Sequence, residues 1–186
     1  PGYKLDDLDD LPPAGKKRGP NRYFEHIQNE GQWKKGIQGY LASIHFADAM
    51  LGRVLDALEQ SPYADTTIVV LWSDHGWHLG EKQHWQKFTG WRQATRVPLM
   101  IRVPKKTPAF SEGTTPAVCD RPVNLLSLFP TLLELCGQKS ETHHDGPSLV
   151  PLLRNPQAEW PHASYTYLGD RGSVAISTDR WRYIKY

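Results

Sequence analysis

Asp74, His75 and Gly76 come one residue after the apolar run "TTIVVLW". They open a stretch that holds Trp77, His78, Lys82, His84, Trp85 and Lys87 before a second apolar run, "VPLMIRV", begins. A carboxylate offers hard oxygen and an imidazole offers a ring nitrogen, so Asp74 and His75 together make half of a divalent-cation site. Gly76 would let the backbone turn sharply beneath a ligand. Lysines and histidines set among indole walls suit an anionic group attached to an organic body. Taken alone, the same residues also describe an Asp-capped turn with a solvated His75, and Lys82 and His84 as ordinary surface groups.

Residues of this kind need rigid elements to hold them. The β-branched, continuously apolar "TTIVVLW" predicts a strand buried on both faces of a parallel sheet, and ligands of such sheets collect beyond the carboxyl ends of the strands, where Asp74 and His75 stand. Val97–Val103 reads as a second strand, with Pro98 near its start where a missing N–H is tolerated. From Ile37 to Leu58 apolar residues recur at three- and four-residue spacing, which predicts an amphipathic helix. Asp48 lies near its apolar face, either as a buried polar contact or as a carboxylate at the edge of the stripe. "VNLLSLFPTLLELCG" starts extended, turns helical around Pro130 and stops at Gly137. Strands alternating with helices give an α/β class. Residues 1–22, rich in Asp, Pro, Gly and Lys, read as a surface loop or linker. Beyond "HHDGPSLVPLLRNP" the Gly-punctuated segments read as an antiparallel meander. The expected division is therefore an α/β portion over 1–158 and the start of an antiparallel subdomain over 159–186.

Bulk properties remove some function classes. With 22 Lys and Arg against 20 Asp and Glu, the net charge of +2 gives no reason to expect nucleic acid or an anionic membrane as a partner. A hydrophobic fraction of 39% argues for a folded chain despite 15 Pro and 15 Gly. No apolar run reaches membrane-spanning length. Cys119 and Cys136 are expected to be unpaired thiols. The first residues lack Met, a basic stretch and an apolar stretch, so no targeting signal is read there. The last, "DRWRYIKY", look like a strand cut short, and both ends are expected to be interior points of a longer polypeptide.

The ordered set Asp-His-Gly-Trp, Leu-Gly-Glu, Trp-x-Lys and Arg-Val-Pro-Leu within residues 74–99 resembles the sulfatase family, most closely its iduronate-2-sulfatase-like branch. "GYLASIHFADAMLGRVLDAL", "VNLLSLFPTLLELCG", "DGPSLVPLL" and "AISTDRWRYIKY" are similar to further segments of that family, so the likeness covers about residues 36–186. Asp-His-Gly alone is shared across the wider alkaline phosphatase superfamily. The resemblance implies an alkaline-phosphatase-like mixed, mainly parallel sheet with flanking helices. It implies that Asp74 and His75 ligate a divalent cation, taken to be calcium, although imidazole is an unusual partner for Ca²⁺. It also implies that Lys87 contacts the sulfate or its bridging oxygen. Trp77, His78, His84 and Trp85 are the candidates for the organic part of a sulfated small molecule or saccharide.

The pattern is incomplete. The family's formylglycine arises from a Cys/Ser-x-Pro-x-Arg motif, whereas Cys119 precedes "DRP" and Cys136 precedes "GQK". The first metal-binding Asp pair and a central catalytic His have no counterpart either. The chain therefore resembles the C-terminal portion of a sulfatase, whose partner would be the N-terminal remainder of the polypeptide. The family implies a periplasmic, extracellular or lysosomal setting. Two other readings stay open: a metal-dependent phosphoesterase or phosphonate hydrolase of the same superfamily, and a non-catalytic module that kept the fold.

Overall fold

A computed structural model describes residues 3–169 and 172–186. In chain order the elements are α1 (Pro13–Lys16), α2 (Arg22–Asn29), α3 (Trp33–Glu59), β1 (Val69–Trp72), β2 (His78–Leu79), β3 (Trp85–Gln86), α4 (Arg92–Thr95) and β4 (Leu99–Arg102). Then follow α5 (Leu128–Leu135), α6 (Val150–Arg154), β5 (Ser164–Tyr167), β6 (Val174–Ser177) and β7 (Arg182–Lys185). Two compact units divide them. One joins the residues up to Ala64 with His75–Val97 and Tyr186, and the other joins Asp65–Asp74 with Pro98–Lys185.

In the first unit, α3 forms where the apolar spacing predicts it and extends a turn further at its N-terminal end. None of its residues is buried, and Leu41, Ile44 and Val54 face solvent, as does Asp48. Residues 3–22 are more ordered than a linker. Asn21 caps α2 by accepting from the Phe24 backbone N–H at 2.9 Å, one of the orphan donors of a helix start. Phe24 is then buried in an edge-to-face ring cluster with Tyr3 and Trp33, and Trp33 continues it to Trp85 with centroids 5.5 Å apart.

In the second unit, β1 pairs with β4 in antiparallel register, Val69 opposite Arg102 and Trp72 opposite Leu99. This corrects the expected parallel arrangement: every strand pairing among the described residues is antiparallel. Parallel neighbours need a crossover that runs back along the strands. The connection from Trp72 to Leu99 holds no α-helix longer than the four-residue α4, about 6 Å long, beside the two-residue strands β2 and β3, so the chain loops out and returns in the opposite sense. Nor is β1 buried on both faces. It has one neighbour, its first three residues are half-buried, and Trp72 is exposed.

The core of this unit gathers Val103, Phe110, Leu135 and Val150, with Ile68, Ile101 and Leu153 against them, and a second cluster joins Leu149, Leu152 and Trp160. A 3-10 turn, Leu125–Ser127, starts the helical segment earlier than Pro130. Gly137, at φ 65, ends α5: its N–H reaches the Glu134 carbonyl and the Gln138 N–H reaches Leu133, a paired closure that a left-handed glycine permits. The strands β5, β6 and β7 form the expected antiparallel meander. They belong to the same compact unit as residues 98–158. Cys119 and Cys136 are free and exposed. Helices and strands are thus mixed, in keeping with an α/β fold, and among the described residues no helix is long and apolar enough to cross a membrane.

Candidate active site

The loop 75–91 lies within the first unit and is built from the inside out. His78 is fully buried: its Nδ1–H donates to the Glu81 carbonyl at 3.1 Å and its Nε2 accepts from the Thr89 hydroxyl at 2.7 Å. Those partners fix a neutral tautomer. Burial, and then the neighbouring His84, pushes the imidazole down to about 4. His84 is buried as well, and burial lowers its imidazole pKa. Its Nε2–H donates to the Lys87 carbonyl at 2.8 Å, while Nδ1 lies 3.2 Å from the Arg18 carbonyl. Both imidazoles pack edge-on against Trp91, which is buried and donates its indole N–H to the Tyr186 hydroxyl at 3.0 Å.

The N-terminal segment braces this loop from outside. Asn21 Nδ2 donates to the Trp85 carbonyl at 2.7 Å and its Oδ1 accepts the Trp85 N–H at 3.1 Å, so one side chain holds both backbone groups of Trp85. Lys82 is not a solvated cation. Its backbone N–H and its ammonium both bond to Asp7, and the ammonium pairs with Asp10 at 3.0 Å. Burial alone would lower that ammonium's pKa, but hydrogen bonds and charge from Asp10 and Asp7 outweigh it and raise it above the ordinary lysine value. Asn21 and Asp7 were not expected to matter. The one readable signal was an Asn placed to cap "RYFEHIQN".

On this scaffold the chemistry-bearing groups separate into two sets. His75 donates from Nδ1 to the Gly76 carbonyl at 2.9 Å, and its Nε2 accepts from the Lys87 ammonium at 2.6 Å. Trp77 is half-buried, stacked on Tyr40 with centroids 6.4 Å apart and tilted against the His75 ring at 6.3 Å. These three lie together. His78, His84 and Trp85, expected to meet a substrate, are buried in the loop, with both imidazoles and the Trp85 backbone hydrogen-bonded. His78 has no exposed surface and His84 and Trp85 keep less than a tenth of theirs, so in this structure the three hold the loop rather than present a face. The expectation for Gly76 also changes. It is not in the left-handed region; a Cβ there would overlap the Gln93 carbonyl oxygen and sit 3.0 Å from its carbon, while the Gly76 N–H donates to Ala94 at 2.8 Å. Its role is close approach to α4 rather than a sharp turn.

Asp74, which carries the carboxylate expected of a cation half-site, is exposed and ends a segment of the second unit, while His75 begins a segment of the first. The donor chemistry fits a divalent cation. With Nδ1–H committed to a backbone carbonyl, the Nε2 lone pair is the one His75 could offer a metal, and the Lys87 ammonium occupies it at 2.6 Å, so ligation requires the ammonium to move off that nitrogen. Among the described residues no group of three or more His, Cys, Asp or Glu side chains gathers that could hold a metal ion.

Comparison with known proteins agrees with the motif. The sulfatase family model matches residues 11–138. A sulfatase from Formosa agariphila is 42% identical over 190 residues, covering 100% of this chain and 36% of its own length. Mouse iduronate 2-sulfatase is 39% identical over 122 residues, covering 56% of this chain and 22% of its own length. Among solved structures, a putative sulfatase from Bacteroides thetaiotaomicron superposes with a TM-score of 0.64 at 19% identity, covering 99% of this chain and 42% of that one. A protein in complex with its substrate D-glucosamine-2-N,6-O-disulfate superposes with a TM-score of 0.61 at 24% identity, covering 82% and 32%. The chain thus spans about a third of the length of the Formosa relative.

Proposed function

The chain belongs to the sulfatase family, and from that premise and the loop geometry we propose that it supplies the cation-bearing loop of an enzyme that hydrolyses sulfate esters. The observation that carries this reading is the Lys87 ammonium, 2.6 Å from the imidazole of the Asp-His-Gly motif on a loop clamped by buried histidines. A divalent cation taking the Nε2 lone pair would release this ammonium beside the motif, where its N–H groups are free for an anion. The ammonium N–H groups would hold a sulfate oxygen and counter the charge that accumulates on the bridging oxygen as the S–O bond breaks. A bound divalent cation, calcium in this reading, would supply Lewis-acid polarisation of the sulfate, with Asp74 and His75 as this chain's ligands. The nucleophile, a formylglycine, and the remaining metal ligands would come from the rest of the polypeptide. So would the strands of a larger, mainly parallel sheet, for which the free edge of β1 leaves room. A sulfated saccharide is the favoured substrate class, because Trp77 offers an indole near the motif and the structural neighbour's substrate is a sulfated glucosamine. A periplasmic, extracellular or lysosomal setting goes with this reading.

The test is Lys87→Ala in the complete protein. It is expected to lower kcat/KM for aryl sulfates and sulfated saccharides by roughly two to four powers of ten, the scale for a positioned charge-stabilising donor, with an unchanged melt. Turnover within a few-fold of the parent would refute the assignment.

A further inference from the structure

Two residues that flank Lys87 adopt left-handed backbone without being glycine: Gln86 at φ 85 and Phe88 at φ 67. For an aromatic residue this conformation is rare and unfavourable, and it persists only where surrounding contacts enforce it. Its effect here is to turn one ring outward. Trp85, Thr89 and Trp91 are buried, whereas Phe88 between them is 75% exposed. Its ring centroid is 5.3 Å from the Lys87 ammonium. Loop strain therefore places a bare aromatic face beside the cation.

We infer that Phe88 is a specificity-determining residue, the surface on which the organic body of a sulfate ester rests while Lys87 holds the sulfate; this inference depends on the function proposed above. What carries the assignment is position: the ring lies beside the ammonium that would meet the sulfate, where the ester's organic body has to rest. An aromatic face suits the C–H face of a sugar ring or an aryl group. It takes the place that the sequence had suggested for His78, His84 and Trp85.

The experiment compares Phe88→Ala, Phe88→Tyr and Lys87→Ala in the complete protein, measuring KM and kcat for an aryl sulfate and a sulfated monosaccharide, inhibition by inorganic sulfate, and the melting temperature. Phe88→Ala is expected to raise KM about tenfold, the scale of one lost aromatic contact, with kcat nearly constant. Inhibition by inorganic sulfate should not change, because that anion has no organic body to lose contact. Phe88→Tyr should restore KM, and neither Phe88 variant should melt below the parent. An unchanged KM in Phe88→Ala, alongside collapse of turnover in Lys87→Ala, would overturn the Phe88 inference and leave the sulfatase reading standing. A lowered melt with KM and sulfate inhibition moving together would assign Phe88 to packing and overturn it too. Normal turnover in Lys87→Ala would refute both.

Discussion

Gly76→Ala tests whether the candidate site depends on contact between its own loop and α4. The added Cβ would overlap the Gln93 carbonyl oxygen, with the Gln93 carbonyl carbon at 3.0 Å and the Arg96 oxygen at 3.2 Å. These are backbone atoms, so no side chain can rotate away. Either α4 or the 75–77 backbone must shift by about 1 Å, and overpacking of this kind costs about 1–3 kcal/mol. The same shift loosens the Gly76 N–H bond to Ala94 and moves His75 and Lys87 relative to one another. A displacement of about 1 Å near reacting groups lowers turnover on the order of a hundredfold. The assay pairs kcat/KM on an aryl sulfate with a thermal melt of the complete protein. A second substitution separates space from conformation: Asn tolerates left-handed backbone, so at Gly137, with φ 65 and its nearest neighbour at 3.3 Å, Asn should be milder than Ala. At Gly76 the two should be equally damaging. Parent-like turnover and melting in Gly76→Ala would refute the reasoning, and a benign Gly76→Asn would show that backbone freedom, not space, is what the site needs.

Acid should destabilise the loop through His78. Its imidazole is held down near 4 against an ordinary 6.5, so the stability it contributes is fully present above pH 6.5 and is lost as pH falls from 6.5 towards 4. The full loss is about 3 kcal/mol. NMR titration of this imidazole should give a midpoint near 4, and one near 6.5 would contradict the burial argument. The Lys82 anchor should depend on Asp7 more than on Asp10, because Asp7 also accepts the Lys82 backbone N–H and is the less exposed of the two. Asp7→Ala is therefore expected to lower the melt and turnover more than Asp10→Ala, and equal small effects would show the clamp to be dispensable. Asp74→Ala should reduce the divalent-metal content of the complete protein by elemental analysis, because a neutral methyl group cannot replace a carboxylate ligand. Full occupancy in that variant would remove Asp74 from the ligand set.

What could be read in advance followed periodicity. The stripe of α3, the glycine stop at Gly137 and the meander of β5–β7 all repeat at spacings set by helix or strand geometry, so the sequence carries them directly. The residue types at the site were equally legible, but their directions were not. Which side chain points inward between 78 and 89 is decided by left-handed backbone at Lys82, Gln83, Gln86 and Phe88, none of them a residue that advertises that conformation. His78 thus resembles a ligand contact in sequence and is core, while Phe88 carries no sequence signal and faces solvent. The sense of the β1–β4 pairing was missed for another reason. An apolar run records burial but not the route of the chain, and only the shortness of α4 shows that no crossover fits.

The two buried histidines explain how so strained a loop stays in place. His84 donates to the carbonyl of Lys87, and His78 accepts from the hydroxyl of Thr89, so together they fix the residues on both sides of Phe88. Thr89 also accepts the Trp91 N–H at 3.3 Å, which ties the same point to the buried indole. Each histidine does this in its neutral form, and burial favours that form in both. Protonation of His78 would turn Nε2 from acceptor to donor and take away the partner of the Thr89 hydroxyl proton. The strain at Phe88 is then no longer held from that side. Loss of turnover in acid should therefore begin at the turn that presents Lys87, ahead of global unfolding. Turnover that fell only in step with the global melt would separate the histidine clamp from the function of the loop.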